Sequence, residues 1–356
     1  MDNLAGLLAN FAVKGNLIVA VPYGTGLINS TFICTFDSGL VYVAQKMTSE
    51  ATEGPEQLME NYVRIADHLA SKYSDRRNSI HLVPTVDGKS YYVSESGDFW
   101  RVMEFITDSY RLNVAASLDD LYQSGKAFGE FHRRVSDFPV DELHQIIPNF
   151  HNTPERFQRL KAAIFAAGEE TARSCREELD FLLEREEGCG AIVDAIEKGE
   201  IPKRVTHNDA RLNNVLMDYD SKKSLCVIDL DTVMPGSLLY DFGEAVRRDC
   251  VTFQKGETDL SKVDIDLDKL RSFTHGFLVS IRSNITDREK ELLPISIKIM
   301  SLELAAVHMT AYLNWEDEDR SNIRLLKART QIKLMTEVEK KWDDILSIFE
   351  ELSKKQ

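Results

Sequence analysis

Basic charge is what this 356-residue chain is short of: 43 Lys and Arg stand against 58 Asp and Glu, a formal net charge of -15. So acidic a surface repels a phosphate backbone and offers no basic stripe, which argues against nucleic acid as a partner. Any phosphate the protein handles must be met by locally placed cations or by a metal. Cysteine is scarce too. Cys34, Cys175, Cys189, Cys226 and Cys250 are odd in number and form no C-x-x-C pair, so they read as buried or incidental thiols of a reducing compartment. The opening stretch MDNLAGLLANFAVKGN has an early Asp2, no basic segment and an apolar run too short for a secretion signal. No apolar segment approaches the roughly 20 residues that a membrane span requires, so the expectation is a cytoplasmic protein without a membrane partner. Internal repeats and low-complexity linkers are also missing. What is present, 43% hydrophobic and 28% charged residues, is an ordinary globular composition with length enough for about two domains.

Leu4, Leu7, Leu8 and Phe11 recur at helical spacing, then the pattern turns to strands. Asn16 to Val21, Ile28 to Phe36 and Leu40 to Met47 have strand length, and Asp37-Ser38-Gly39 supplies hairpin chemistry between the last two. Pro55 opens a helix with Leu58, Met59, Tyr62, Val63, Ala66 and Leu69 on one face. Strands return at His81 to Val86, Ser90 to Glu95 and Phe99 to Ile106. Residues 1–106 therefore read as a small antiparallel-sheet lobe with one main helix.

Beyond Thr107 the signal is mostly helical. Ser117 and Asp120 form an acidic capping box, Thr153-Pro154 marks a second start with Thr as N-cap, and helical stretches occupy about 171–198, 241–253, 266–282, 286–313 and 322–353. The expected fold class is α+β, with residues 1–106 and 107–356 as two lobes meeting near Glu104 to Asp108 and a cleft between them.

Short strands and loops interrupt the helices at Val205 to Asp231. There His207-Asn208-Asp209-Ala210-Arg211-Leu212-Asn213-Asn214 fits the catalytic-loop pattern H-x-D-x-x-x-x-N of phosphoryl transfer. In that frame Asp209 accepts the proton of an acceptor hydroxyl and Asn214 supplies an oxygen to Mg²⁺. Arg211 offsets charge on the transferring phosphoryl group. Asp229, after the apolar run Leu225 to Ile228, is placed to reach phosphate through Mg²⁺, a hard ion that suits oxygen ligands. For Asp231 two roles stay open, a metal contact and an acceptor contact. His207 reads as a scaffold that bonds nearby backbone.

In the first lobe Gly24 and Gly26 sit in a turn where backbone N–H groups can approach phosphate. Lys46, with Glu60 as partner, is the candidate cation for the α/β-phosphates, although Gln45 competes with it for the side facing the nucleotide. Backbone groups of Glu104 and Ile106 are candidates for adenine. Asp241-Phe242-Gly243 looks like a metal-binding D-F-G, but it lies too far past Asp209 and lacks a preceding apolar strand. Asp241 is read instead as capping the following helix and bracing the catalytic loop.

On these residues the chain resembles the aminoglycoside phosphotransferase and choline kinase superfamily, over both lobes. Within it, PYGTGLINSTF, WRVMEFI, VIDLDTVMPGSLLYDFGEAVR and RTQIKL are similar to the N-acetylhexosamine 1-kinases. The resemblance implies a bilobal protein-kinase-like fold and ATP-dependent phosphorylation of the anomeric hydroxyl of N-acetylglucosamine or N-acetylgalactosamine. By it Asp209 is the base, Asn214 and Asp229 are magnesium ligands, and the Asp231 to Gly236 segment borders the sugar. For the directional hydrogen bonds that a neutral amido-sugar needs, Thr232, Arg247 and Arg329 are available. Other small hydroxyl acceptors (choline, ethanolamine, homoserine, an aminoglycoside) fit the same chemistry. So does, more weakly, a metal-dependent hydrolase using His207, Asp209, Asp229 and Asp231.

Overall fold

The structure, a computed structural model, describes residues 2–23, 30–47, 55–254, 256–314 and 318–354. Its architecture is mixed α+β, and it divides into two compact units: Met1–Tyr110 with Asp137–Pro148 and Leu216–Met234, and Arg111–Ser136 with Asn149–Val215 and Pro235–Gln356.

The first unit holds helices α1 (Asp2–Leu8) and α2 (Pro55–Lys72) and strands β1 (Leu17–Pro22), β2 (Ser30–Phe36), β3 (Val41–Met47), β4 (Leu82–Val83), β5 (Tyr92–Val93) and β6 (Phe99–Glu104). The strands form one sheet in the order β1-β2-β3-β6-β4, with β5 also on β6. Residues 28 and 29, assigned from the sequence to the second strand, lie outside the described residues. The β2–β3 hairpin turns where Gly39 takes φ +78°, a left-handed conformation that side chains resist. Strand alternation then sorts the sheet's two faces. Tyr42, Ala44, Trp100 and Val102 join Leu8, Phe11 and Cys34 in one core, while the opposite face is covered by α2 through Met59 and Tyr62. Gln45 is opposite Arg101, and Lys46 opposite Trp100. Those two neighbours in sequence therefore point to opposite faces. A second small sheet joins Ser109–Arg111, Val215–Asp218 and Ser224–Val227, and Asp229 follows the last of these strands.

The second unit is helical: α3 (Leu118–Arg134), α4 (Thr153–Ser174), α5 (Arg176–Leu183), α6 (Ala191–Glu197), α7 (Leu238–Asp249), α8 (Leu267–Ile281), α9 (Asp287–Leu313), α10 (Glu318–Lys340) and α11 (Trp342–Ser353). Ser117 and Asp120 close the expected capping box at α3. At α4 the cap differs: Asn152 accepts from the Glu155 N–H, so Thr153 is inside the helix and its hydroxyl donates to Glu303. The stretch 171–198 breaks into three helices around Cys175 and a 3-10 turn at Glu186–Gly188. Helices α3 and α8 touch backbone to backbone, because a Cβ on Gly125 would meet the Phe273 carbonyl oxygen at 2.0 Å and one on Gly276 the Tyr122 carbonyl oxygen at 2.1 Å.

Contrary to the expectation that no segment reaches span length, α9 is long and apolar enough to cross a membrane by length and composition. It is mostly buried, and it packs against α4, α7 and α10 as the core helix of this unit. All five cysteines are buried free thiols.

Candidate functional site

The H-x-D-x-x-x-x-N segment follows the short strand Arg204–Thr206 in the second unit and ends in a 3-10 turn at Leu212–Asn214. Its backbone is held from below by a buried carboxylate. Asp241, in the first turn of α7, accepts from the N–H groups of His207 (2.8 Å) and Asn208 (2.6 Å), and His132 Nε2 lies 2.9 Å away. Asn208 can meet that carboxylate because it takes φ +65°, a conformation Asn tolerates better than most residues. The bracing role expected of Asp241 is observed, but the helix cap is Ser237, whose hydroxyl accepts from the Leu239 N–H. His207 is fully buried between the rings of Phe128 and Phe131, and its Nδ1 accepts from the Asp209 N–H. It works as a scaffold.

Burial alone would raise the Asp241 carboxyl, but the His132 imidazole beside it, with the backbone N–H of His207, outweighs it and holds the group below its ordinary 3.8. A carboxyl depressed on folding contributes stability that is complete above that value and is lost as pH falls further. Asp241→Asn should therefore cost about 3–5 kcal/mol near neutrality, as for one partner removed from a buried pair. Its thermal midpoint should also fall less steeply than the parent's below pH 4. Equal midpoints for the two proteins at neutral pH would refute this role.

Asp209 is partly exposed, and its two oxygens differ. Oδ2 accepts from Asn214 Nδ2 at 3.0 Å and lies 3.0 Å from Arg211 Nε. Oδ1 makes no hydrogen bond among the described residues, and Arg248 NH2 is 4.0 Å from it. Asn214 also donates to the Asp209 carbonyl oxygen at 2.8 Å, so its amide nitrogen is committed and its carbonyl oxygen is the group it can offer a cation. Asp249 closes the far side of the loop by accepting from the Leu212 N–H at 2.7 Å, and burial pushes its carboxyl up to about 7.

In the first unit Asp229 has φ +68°, and Asp231 follows in the 3-10 turn Leu230–Thr232 that also holds Thr232. Asp231 Oδ1 lies 2.5 Å from NH1 of Arg101, a β6 residue buried to 1% exposure. That guanidinium also donates twice to Gln45 Oε1 and stacks 4.3 Å from the Tyr62 ring centroid. Burial alone would discharge it, but the Asp231 carboxylate holds it firmly protonated. Sequence reasoning missed Arg101, although an arginine inside the apolar run FWRVMEFI was the signal to find it. Asn61 of α2 fixes the same region by donating to the carbonyls of Val233 and His144.

Of the other candidates, Lys46 pairs with Asp98 at 2.8 Å. The expected Lys46–Glu60 pair is not formed, since Glu60 bonds His144 at 2.6 Å instead. The Glu104 carboxylate takes Arg76, its N–H donates to the His81 carbonyl, and the Ile106 carbonyl accepts from the Ser109 hydroxyl. Gly24 and Gly26 lie outside the described residues. In the second unit Arg247 is buried on Glu244, and Arg329 pairs with Glu178 on the surface. Glu244 and Arg248 were overlooked, although their i,i+4 spacing on one helix face signals a pair. Among the described residues no three or more His, Cys, Asp or Glu side chains cluster as a metal site.

The phosphotransferase enzyme family matches residues 19–261. Solved structures share the fold at low identity. A microcompartment-associated aminopropanol kinase is 17% identical, with a TM-score of 0.64 over 97% of this chain and 98% of its own. An aminoglycoside phosphotransferase from Alicyclobacillus acidocaldarius is 14% identical, with a TM-score of 0.61 over 96% and 95%. An ethanolamine kinase from Plasmodium vivax is 13% identical, with a TM-score of 0.53 over 88% and 82%.

Proposed function

The chain belongs to the phosphotransferase enzyme family, and on that premise we propose that it moves the γ-phosphoryl group of ATP to the anomeric hydroxyl of an N-acetylhexosamine, forming the sugar 1-phosphate. The observation that carries phosphoryl transfer to a hydroxyl is the state of Asp209. One carboxylate oxygen is gripped by Asn214 and Arg211, and the other is left open on a loop that Asp241 holds rigid.

In the proposed reaction the acceptor hydroxyl gives its proton to Asp209 Oδ1, and the oxygen's electron pair forms the new bond to the γ-phosphorus. The bond from that phosphorus to its bridging oxygen breaks, and ADP leaves with the pair. Arg211 holds the base and adds a cation beside the transferring group. Asn214, through its carbonyl oxygen, and Asp229, through its carboxylate, are the proposed Mg²⁺ ligands, and both are the hard oxygens that ion prefers. When bound, Mg²⁺ neutralises phosphate charge. Residues 1–106 are assigned to ATP, with Gly24, Gly26 and the backbone of Glu104 and Ile106 as nucleotide contacts, while Lys46 is not among them because it lies on the sheet face opposite Gln45 and Arg101 and pairs with Asp98. Residues 107–356 carry the base and most of the acceptor contacts. Asp231, Thr232, Arg247 and Arg329 are assigned to the acceptor.

A neutral amido-sugar rather than a cationic amine is favoured by the state of the carboxylates around Arg247. Glu244 is spent on Arg247 and Arg248, and Glu303 on His151 and Thr153, so neither is spare for an ammonium group. Similarity to the sugar kinases in the MPGS and RTQIKL segments points the same way. The test is ADP release from ATP with N-acetylglucosamine, N-acetylgalactosamine, glucose, choline, ethanolamine, homoserine and an aminoglycoside, each alone. The expected result is turnover strictly dependent on acceptor and highest with the two N-acetylhexosamines. Turnover confined to choline or ethanolamine would remove the sugar while keeping the kinase, and ADP release without any acceptor would favour hydrolysis.

A further inference from the structure

We infer that Arg248 is a second catalytic arginine, one that binds the acceptor's reacting oxygen opposite Asp209; this rests on the reading of Asp209 as the base. Asn214 and Arg211 occupy Oδ2, so the proton-accepting oxygen is Oδ1. Arg248 NH2 stands 4.0 Å from Oδ1, too far for a hydrogen bond between them. An oxygen about 2.8 Å from both atoms closes that gap as a near right-angled bridge, donating its proton to Oδ1 and accepting from the guanidinium. The acceptor hydroxyl has that one donor and those lone pairs.

The guanidinium is also held for the purpose. Glu244, 6% exposed, accepts from Arg248 Nε at 2.6 Å, which leaves the two terminal nitrogens without a hydrogen bond among the described residues. Burial alone would raise the Glu244 carboxyl, but the charges of Arg247 and Arg248 outweigh it and keep it ionised, so the anchor stays anionic. As the acceptor oxygen loses its proton to Oδ1 and gains its bond to phosphorus, negative charge passes through it. A fixed cation on that oxygen acts only where the charge develops. Asp209 and Arg248 thus divide the work, one removing the proton and the other stabilising the oxygen left behind. Arg211, on the opposite carboxylate oxygen, cannot substitute.

The variants are Arg248→Ala, Arg248→Lys and Glu244→Gln, assayed on the full-length protein with the best acceptor of the panel. Arg248→Ala leaves Glu244 paired with Arg247, so no buried charge is stranded and the thermal midpoint should stay near the parent's. The expected result is a fall of about 10²- to 10³-fold in kcat/KM for the acceptor, the range for one lost donor at a developing anion. KM for ATP should change little. Free guanidinium should restore part of the lost rate to Arg248→Ala, a response that a structural role would not give. Arg248→Lys and Glu244→Gln should fall between Arg248→Ala and the parent. Arg248→Ala within about threefold of the parent would overturn the inference, and so would a loss that guanidinium fails to reverse. Asp209→Asn runs beside them as the control on the underlying reading. If it turns over normally, the assignment of the base has failed; if it is inactive while Arg248→Ala is normal, only the role of Arg248 has failed.

Discussion

Asp209→Asn is expected to bind ATP as the parent does and to turn over about 10²- to 10⁴-fold more slowly, the range for a lost general base. The amide keeps the size and shape of the side chain. Its oxygen can still accept from Asn214, and the loop is held from elsewhere, by Asp241 on the His207 and Asn208 N–H groups and by Asp249 on Leu212. What the amide cannot do is take a proton from the acceptor at the position of Oδ1. Arg211 also loses its ion pair, so a small change in acceptor KM is expected beside the large change in kcat. Calorimetric titration with ATP and steady-state kinetics together check both halves, and near-normal turnover would falsify the assignment.

Asp229 gives the second large effect. Its φ of +68° makes the choice of variant matter, since Asn tolerates left-handed backbone while Ala adds strain. Asp229→Asn therefore isolates the charge. Productive use of Mg²⁺-ATP should fall by about 10³-fold or more, matching the several kcal/mol a metal supplies to a phosphoryl transition state. Raising Mg²⁺ should rescue little. Asp229→Ala should be as inactive and also less stable. Turnover of Asp229→Asn close to the parent's at ordinary Mg²⁺ would instead place Asp229 away from the metal.

Local signals in the chain were enough for much of the fold. Strand alternation with the Asp37-Ser38-Gly39 turn gave the β2–β3 hairpin, and the 3.6-residue stripe from Leu58 to Leu69 gave α2 and its buried face. The His207 to Asn214 loop was legible as a unit because its His, Asp and Asn keep the fixed H-x-D-x-x-x-x-N spacing. Features settled by tertiary contact were not. Thr153 has the chemistry of a cap, but Glu303, distant in sequence, claims its hydroxyl and Asn152 caps instead. Lys46 and Glu60 looked like partners in sequence, yet strand alternation turns Lys46 to the sheet face away from α2. Arg101 was missed because its partners Asp231, Gln45 and Tyr62 are distant in sequence and meet it only in the fold. The two oxygens of Asp209, which no spacing separates, became distinct only through Asn214, Arg211 and Arg248.

The most direct measurement is phosphorus NMR of the parent protein incubated with ATP, Mg²⁺ and N-acetylglucosamine. The account predicts a new phosphomonoester signal coupled to the anomeric proton, growing in step with ADP and absent with Asp209→Asn. Inorganic phosphate appearing in step with ADP, or a phosphorylated hydroxyl elsewhere on the sugar, would contradict it.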